Sequence, residues 1–273
     1  MRALVCPAYG APDSLVIEDL PEPEPGPGQV QVRVHAAGLN FPDLLMIAGQ
    51  YQLKTPPPFV PGAEAAGVVT ATGPGVERLK VGDPVIAMPT GGAFAEVCVA
   101  DEISTVPKPE ALSFEEAAGF AITYFTTMHA YRQSAILNEG ETVLVLGAAG
   151  GVGSAAIELG KAMGARVIAA ASSAEKLDFA RELGADETIN YSEQSLNDAV
   201  KSLTGGKGVD VVYDPVGGDL ATEALRATAW HGRYLVIGFA SGEIPALPAN
   251  LALLKEDSIV GVWWGTWAGK HPG

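Results

Sequence analysis

Apolar and polar positions alternate with period two at Val30, Val32 and Val34 against Gln31, Arg33 and His35, and again through Phe94-Ala95-Glu96-Val97-Cys98-Val99. That period turns one side of each segment inward and the other to water, so both read as half-buried β-strands. Turn residues break the first third of the chain between such runs: Pro21, Pro23, Pro25 and Pro27 with Gly26 and Gly28, then Pro56-Pro57-Pro58, Gly73-Pro74-Gly75 and Gly82-Asp83-Pro84. The pattern predicts a compact, mostly β domain. At Ser113 it changes. Ser113 and Glu116 have capping-box spacing and open an apolar stretch with few breakers through Tyr131, which reads as a helix crossing into a second domain.

From Thr142 onward short apolar runs alternate with amphipathic ones. Strands are predicted at 143–146, 166–171, 188–190, 209–214 and 234–237, with helices at 151–163, 173–183, 195–203 and 220–227 between them. Repeated β-α-β units of these lengths require a parallel sheet covered on both faces. Gly164 and Gly184 stand just past two helix ends, where a left-handed residue is favoured, and Ser172 to Glu175 has the spacing of another capping box. No internal repeat is present, and the Pro/Glu run at 21–25 reads as a solvated loop.

The 273 residues are 48% hydrophobic and 18% charged, as expected of a folded globular protein. Seventeen basic against 32 acidic residues give a net charge of -15. That balance argues against nucleic-acid backbones and anionic membranes as partners, because both are gripped through Lys and Arg. Cys6 and Cys98 form no CxxC or zinc-ribbon pattern and suit a reducing compartment. The N-terminus lacks a signal peptide's apolar core, and the one long uncharged stretch, residues 142–157, is interrupted by glycines. A soluble, cytoplasmic protein is expected.

The first β-α turn of the alternating region reads Gly147-Ala148-Ala149-Gly150-Gly151-Val152-Gly153. It matches the dinucleotide fingerprint as A-x-G-x-x-G, with Ala148 in place of the first glycine. Gly150 would admit a pyrophosphate to the backbone, Gly153 would let helix and strand pack closely, and the helix N-terminus would supply amide donors. Glycine turns occur in many folds, but this one follows an apolar strand and opens a helix. At the end of the next strand a carboxylate would bind the ribose 2′-hydroxyl of NAD. Here stand Ala170-Ala171-Ser172-Ser173-Ala174-Glu175-Lys176 instead. Ser172 can hydrogen-bond a 2′-phosphate and Lys176 can neutralise it, favouring NADPH; the same two residues also read as a helix cap and a surface charge.

No HExxH, GxSxG or GxxxxGK[ST] pattern occurs, and His35, His129, His231 and His271 lack metal-ligand spacing. The chemistry is therefore expected to rest on the organic cofactor.

The segments Ala37-Gly38-Leu39-Asn40-Phe41-Pro42-Asp43, Pro61-Gly62-Ala63-Glu64-Ala65-Ala66-Gly67, Val81-Gly82-Asp83-Pro84-Val85, the glycine turn and Val236-Ile237-Gly238-Phe239 run along nearly the whole chain. Together they resemble the medium-chain dehydrogenase/reductase superfamily, in its zinc-free quinone oxidoreductase (zeta-crystallin-like) branch. The resemblance implies an α/β chain, a Rossmann doubly wound parallel sheet plus a β-rich GroES-like N-terminal domain. The domains would be a catalytic domain at 1–121, an NADPH-binding domain at 122–262, and at 263–273 the start of a return to the first. Since the family continues beyond that point, the chain reads as a fragment or a shortened form. Zinc-dependent relatives carry a Cys in the first segment and a His before the Glu of the second. Here Asn40 and Ala63 stand in those regions and the four-cysteine structural zinc lobe is absent, so no metal is expected.

The resemblance further implies that Asn40, Asp43 and Tyr51 line the cleft near the nicotinamide, with Thr123, Gly238 and Phe239 at the same end. Ala148, Gly150, Gly151, Val152 and Gly153 would hold the pyrophosphate, and Tyr191 would join Ser172 and Lys176 at the 2′-phosphate. Asn40 also reads as a helix cap with Pro42 in the first turn, Asp43 as part of that cap, and Tyr51 as an amphipathic loop residue. The expected reaction is zinc-independent hydride transfer from NADPH to a small-molecule quinone or enone, the Asn40 amide or Tyr51 hydroxyl stabilising the growing negative charge and water or Tyr51 giving the proton. The alternatives are an enoyl-thioester reductase, for which no obvious cationic cluster is visible, or a non-catalytic nucleotide-binding protein. Relatives of this family dimerise by edge pairing of the nucleotide-domain sheet, so the resemblance implies a homodimer with residues 258–262 as the edge strand, a strand that its own chain can equally cover.

Overall fold

The computed structural model describes residues 1–271 and divides into two compact units, Met1–Ile122 and Thr123–His271. Pro272 and Gly273, the end of the expected return segment, lie outside the described residues.

In the first unit β1 (Arg2–Val5) pairs antiparallel with β2 (Val16–Asp19). Strands β3 (Gln29–Ala37), β4 (Ala65–Thr72), β5 (Pro84–Ala87), β6 (Val97–Asp101) and β7 (Thr105–Pro107) form a second antiparallel sheet in the order β6-β3-β4-β5-β7. The alternation at 30–34 works as expected: Val32 is paired with Cys98 on one side and Val69 on the other, and all three are buried. The strand expected at 94–99 starts later, at Val97, because Ala95 is held only by an isolated bridge to Ala3. Both cysteines are buried. Two short helices accompany the sheet, α1 (Phe41–Ile47) and α2 (Phe114–Ala118).

The single helix expected from Ser113 to Tyr131 is broken. Ser113 caps α2 as predicted, its hydroxyl accepting from the Glu116 amide at 3.1 Å while Glu116 accepts from the Ser113 amide at 2.8 Å. The helix ends at Gly119 and restarts as α3 (Ala121–His129), followed by a π-helical turn at Ala130–Ala135. A helix start leaves amides without carbonyl partners. At α3 the Ile122 amide is satisfied by the Glu64 carboxylate at 2.9 Å, which explains a restart that local sequence does not signal.

The second unit alternates β8 (Thr142–Leu146), α4 (Gly151–Ala162), β9 (Arg166–Ala171), α5 (Ala174–Glu182), β10 (Glu187–Asn190), α6 (Leu196–Leu203), β11 (Val209–Asp214), α7 (Leu220–Arg226), β12 (Thr228–Val236), α8 (Ala249–Lys255), β13 (Ser258–Gly261) and α9 (Trp264–Lys270). All pairs are parallel, in the order β10-β9-β8-β11-β12-β13. Val143, Val145, Val167, Val211 and Tyr213 pack into one core, and Leu144, Leu146, Ile168, Val212 and Tyr234 into another. Successive residues of each strand thus serve opposite faces, so both faces must be helix-covered. Strand order reverses between β8 and β11, and such a switch opens a crevice at the carboxyl ends of the strands. Among the described residues no helix is long and apolar enough to cross a membrane.

Candidate active site

The glycine turn joins the carboxyl end of β8 to α4. Gly147 adopts φ 57°, so the left-handed residue of the turn is this glycine, one place before the alanine that departs from the strict fingerprint. Ala148 is buried and its amide bonds the Ala170 carbonyl at 3.2 Å, tying the turn to β9. A Cβ on Gly153 would stand 2.3 Å from the Gly147 carbonyl oxygen, so helix and turn approach as closely as backbone allows. Gly150 caps α4 in extended conformation, and the Ser154 amide is the first to reach a helical carbonyl, that of Gly150. The amides of Gly151, Val152 and Gly153 precede that first bond and form an anion cradle of the kind a pyrophosphate fills. Thr123 stands against the same turn, its methyl 3.1 Å from where a Gly151 Cβ would lie.

At the carboxyl ends of β9 and β10, Lys176 Nζ donates to Ser172 Oγ at 3.2 Å. The cap of α5 is Ser173, whose hydroxyl accepts from the Lys176 amide, rather than Ser172 as the capping-box spacing suggested. Ser172 is one residue further out, and its hydroxyl is left for the lysine. Tyr191 joins this corner through its amide, which bonds the Ala171 carbonyl at 3.2 Å, and Ser192 Oγ donates to the Ser172 carbonyl at 3.1 Å. No carboxylate stands at the tip of β9.

Gly238 and Phe239 follow β12. The Ile237 and Gly238 amides bond the Asp214 carbonyl, and the Phe239 ring lies 2.9 Å from where a Gly217 Cβ would be. Asp214 is a site-shaping residue that sequence reasoning missed. Buried at the end of β11, its carboxylate accepts from the Val216 and Gly217 amides at 2.7 and 2.9 Å and from the Tyr234 hydroxyl. Burial raises its pKa, opposed by those three donors. An acid at the end of an otherwise apolar run was the available signal.

In the first unit Asn40 caps α1, with Pro42 in the first turn, so the helix-start reading of this segment holds. Its amide hydrogen goes to Asp43 Oδ2 at 2.8 Å, and its side-chain Nδ2 donates to Glu64 Oε2 at 2.9 Å. Glu64 is 0% and Asp43 1% exposed. Burial pushes the Glu64 carboxyl upward, opposed by hydrogen bonds from Asn40, Ile122 and Ala121, while the negative charge of Asp43 adds to the rise. Asp43 is raised by the same cause, opposed by the Asn40 and Gly62 amides, and among the described residues its Oδ1 lacks a partner of good hydrogen-bond geometry. Asn40, Asp43 and Glu64 therefore form one cluster. Glu64 is the central member that the sequence-predicted site left out, since its partners lie 24 and 58 residues away. Tyr51 follows α1, half-buried and anchored by its amide to the Leu45 carbonyl; among the described residues it forms no hydrogen bond to the cluster.

Residues 26–133 match the family described as alcohol dehydrogenase GroES-like domain, and residues 151–271 that described as zinc-binding dehydrogenase. Quinone oxidoreductase-like protein 2 of Bos taurus is 44% identical over 265 residues, covering 97% of this chain and 75% of that protein. The crystal structure of a Pseudomonas syringae quinone oxidoreductase superposes with TM-score 0.92 at 37% identity, over 98% of this chain and 83% of the other. Escherichia coli quinone oxidoreductase complexed with NADPH gives TM-score 0.92 at 30% identity, over 98% and 82%. Among the described residues no three His, Cys, Asp or Glu side chains gather in a metal-holding group, and the Glu64 carboxylate is occupied by Asn40 and Ile122.

Proposed function

Because the chain belongs to the medium-chain dehydrogenase/reductase superfamily as a quinone oxidoreductase-like enzyme, we propose that it reduces quinones or α,β-unsaturated carbonyls with NADPH, without zinc, as a cytoplasmic homodimer. The observation that carries this reading is the corner at the ends of β9 and β10. Ser172 and Lys176 stand together where a carboxylate would select NAD, so a 2′-phosphate meets a hydroxyl and a cation there. The relative complexed with NADPH supports the same coenzyme.

When bound, NADPH supplies the hydride. The chain's own residues hold it and manage charge. Gly151, Val152 and Gly153 take the pyrophosphate on backbone amides beside Gly150, whose own amide bonds the Gly147 carbonyl, while Thr123, Gly238 and Phe239 bound the nicotinamide end. Asn40 Nδ2 carries two hydrogens. One is committed to Glu64, which fixes the orientation of the amide, and the other donates to the acceptor oxygen as negative charge grows on it. Asp43 is enclosed and holds the Asn40 backbone, so its role is positioning. Tyr51 or water gives the proton. Dimerisation uses the edge strand β13, on which Ile259 is exposed.

The test follows reduced-nicotinamide absorbance with NADPH or NADH against quinones, enones and enoyl thioesters, with and without chelator. Chelator-insensitive oxidation of NADPH in preference to NADH, with quinones or enones as the best acceptors, is the expected result. Enoyl thioesters as best acceptors would assign the reductase to thioesters instead. Tight NADPH binding with no turnover would leave a nucleotide-binding protein.

A further inference from the structure

At the amino ends of β11 and β12, the opposite end of the sheet from the glycine turn, a cavity of about 420 Å³ opens on the second unit. Lys201 enters it from the last turn of α6, Lys207 from the loop before β11, Arg226 from the end of α7 and Lys255 from the end of α8, with Trp230 and Leu251 completing the wall. The sequence spreads its 17 basic residues thinly among 32 acidic ones, yet the fold brings four of them to one cavity.

Cations in the last turn of a helix offset its dipole, and that accounts for Lys255, whose Nζ donates to the Arg226 and Thr228 carbonyls at 2.7 Å each. The same placement holds for Lys201 in the last turn of α6 and Arg226 in the last turn of α7, but not for Lys207. Among the described residues none of the four takes part in an ion pair, although five other Lys or Arg residues do. Among the described residues the side chains of Lys201, Lys207 and Arg226 have no hydrogen-bond acceptor, and Lys207 stands on a loop rather than at a helix end. Two carboxylates bond residues of the lining: Asp257 accepts from the Thr228 hydroxyl and the Gly232 amide, and Glu223 accepts from the Asn197 and Leu196 amides. Lys201 and Lys255 repel one another, with Asp257 as a counter-charge to Lys255, and among the described residues no carboxylate lines the cavity, so four cations gathered there in a chain of net -15 favour an anion.

The aromatic wall is an independent observation. Between β11 and β12 the pairing jumps from Val209↔Thr228 to Val211↔Arg233, so the second strand carries a bulge at 229–232. His231 in that bulge has φ 60°, in the left-handed region that few residues other than glycine adopt. The bulge leaves Trp230 61% exposed beside the cations. A flat indole next to unpaired cations suits a ligand with a ring and phosphates together.

We propose that this cavity binds a nucleoside polyphosphate, its phosphates on Lys201, Lys207 and Arg226 and its base on Trp230. The strands separate it from the glycine turn by about 20 Å, at roughly 3.3 Å per residue, so it is a second site rather than part of the coenzyme's.

The test titrates ATP, and inorganic tripolyphosphate as a phosphate-only arm, into the NADPH-saturated chain, reading tryptophan fluorescence and melting temperature. Both probes raise Tm, and ATP binds at least tenfold tighter than tripolyphosphate. Trp230→Ala removes that tenfold advantage and the fluorescence change. The pair Lys201→Glu and Lys207→Glu weakens both probes at least tenfold while NADPH affinity stays unchanged. Should the pair not fold, Lys207→Ala on the exposed loop is expected to weaken both about threefold or more. No response to either probe, or a response indifferent to the lysine substitutions, overturns the site; ATP binding no tighter than tripolyphosphate overturns the nucleoside assignment.

Discussion

Glu64 accepts the side-chain amide of Asn40 at 2.9 Å from a position with no solvent exposure. A carboxylate placed there fixes which way the amide hydrogens point, because its other oxygen is held by the Ile122 amide at the start of α3. The consequence for catalysis is direct. Asn40→Ala removes the donor proposed for the acceptor oxygen and leaves the nucleotide unit untouched. It is expected to lower kcat about 100-fold, the magnitude typical of one lost oxyanion donor, with NADPH affinity unchanged in a binding titration. Unchanged turnover would remove Asn40 from the mechanism.

Gly153→Ala tests the coenzyme cradle. The added methyl would lie 2.3 Å from the Gly147 carbonyl oxygen and 3.0 Å from the Ala148 Cα, both backbone atoms with little room to yield. Overpacking of this kind costs about 1–3 kcal/mol. Both a lower Tm and at least a tenfold rise in NADPH Kd are expected; a variant binding NADPH as the parent does would place the pyrophosphate elsewhere.

Coenzyme choice is tested by Ser172→Asp. A carboxylate at the tip of β9 would accept from the ribose 2′-hydroxyl of NADH and repel the 2′-phosphate of NADPH. The ratio of kcat/KM for NADPH over NADH is expected to fall about tenfold or more, equivalent to about 1.4 kcal/mol. Lys176→Ala should move it in the same direction, since Lys176 bonds the Ser172 hydroxyl. A ratio indifferent to both changes would refute the 2′-phosphate corner.

The local features of this chain were legible because neighbours in sequence carry them. The alternation of Val30, Val32 and Val34 gave β3, and the succession of strand, glycine turn and helix gave β8 to α4. What escaped depends on contacts between distant residues. Gly119 is a local stop signal, but the restart after it is stabilised by a carboxylate 58 residues from Ile122, which no neighbouring residue signals. Asp214 resembles any acid ending a strand until Tyr234 folds against it. The cap shifted from Ser172 to Ser173 because two adjacent serines satisfy the spacing nearly equally, and only the backbone decides which accepts the Lys176 amide.

The buried carboxylate also makes the first unit sensitive to pH. Burial raises the Glu64 pKa above its value in the unfolded chain, so over the interval between the two values the folded protein holds a proton that the unfolded chain has released. Stability attributable to this group therefore increases as pH falls through the raised value and is lost as pH climbs past it, opposite to an ordinary salt-bridged acid. Glu64→Gln is neutral at every pH and lacks this term. Thermal unfolding of parent and variant from neutral pH down toward the ordinary glutamate range isolates it, because Asp214, also raised by burial, is present in both. Asp43, raised by its own burial, is likewise present in both. The parent is expected to gain on the variant as the solution is acidified. A difference in Tm that stays flat across that range, or shifts the other way, would mean that Glu64 titrates as an exposed residue does and that its hydrogen bonds to Asn40 and Ile122 outweigh its burial.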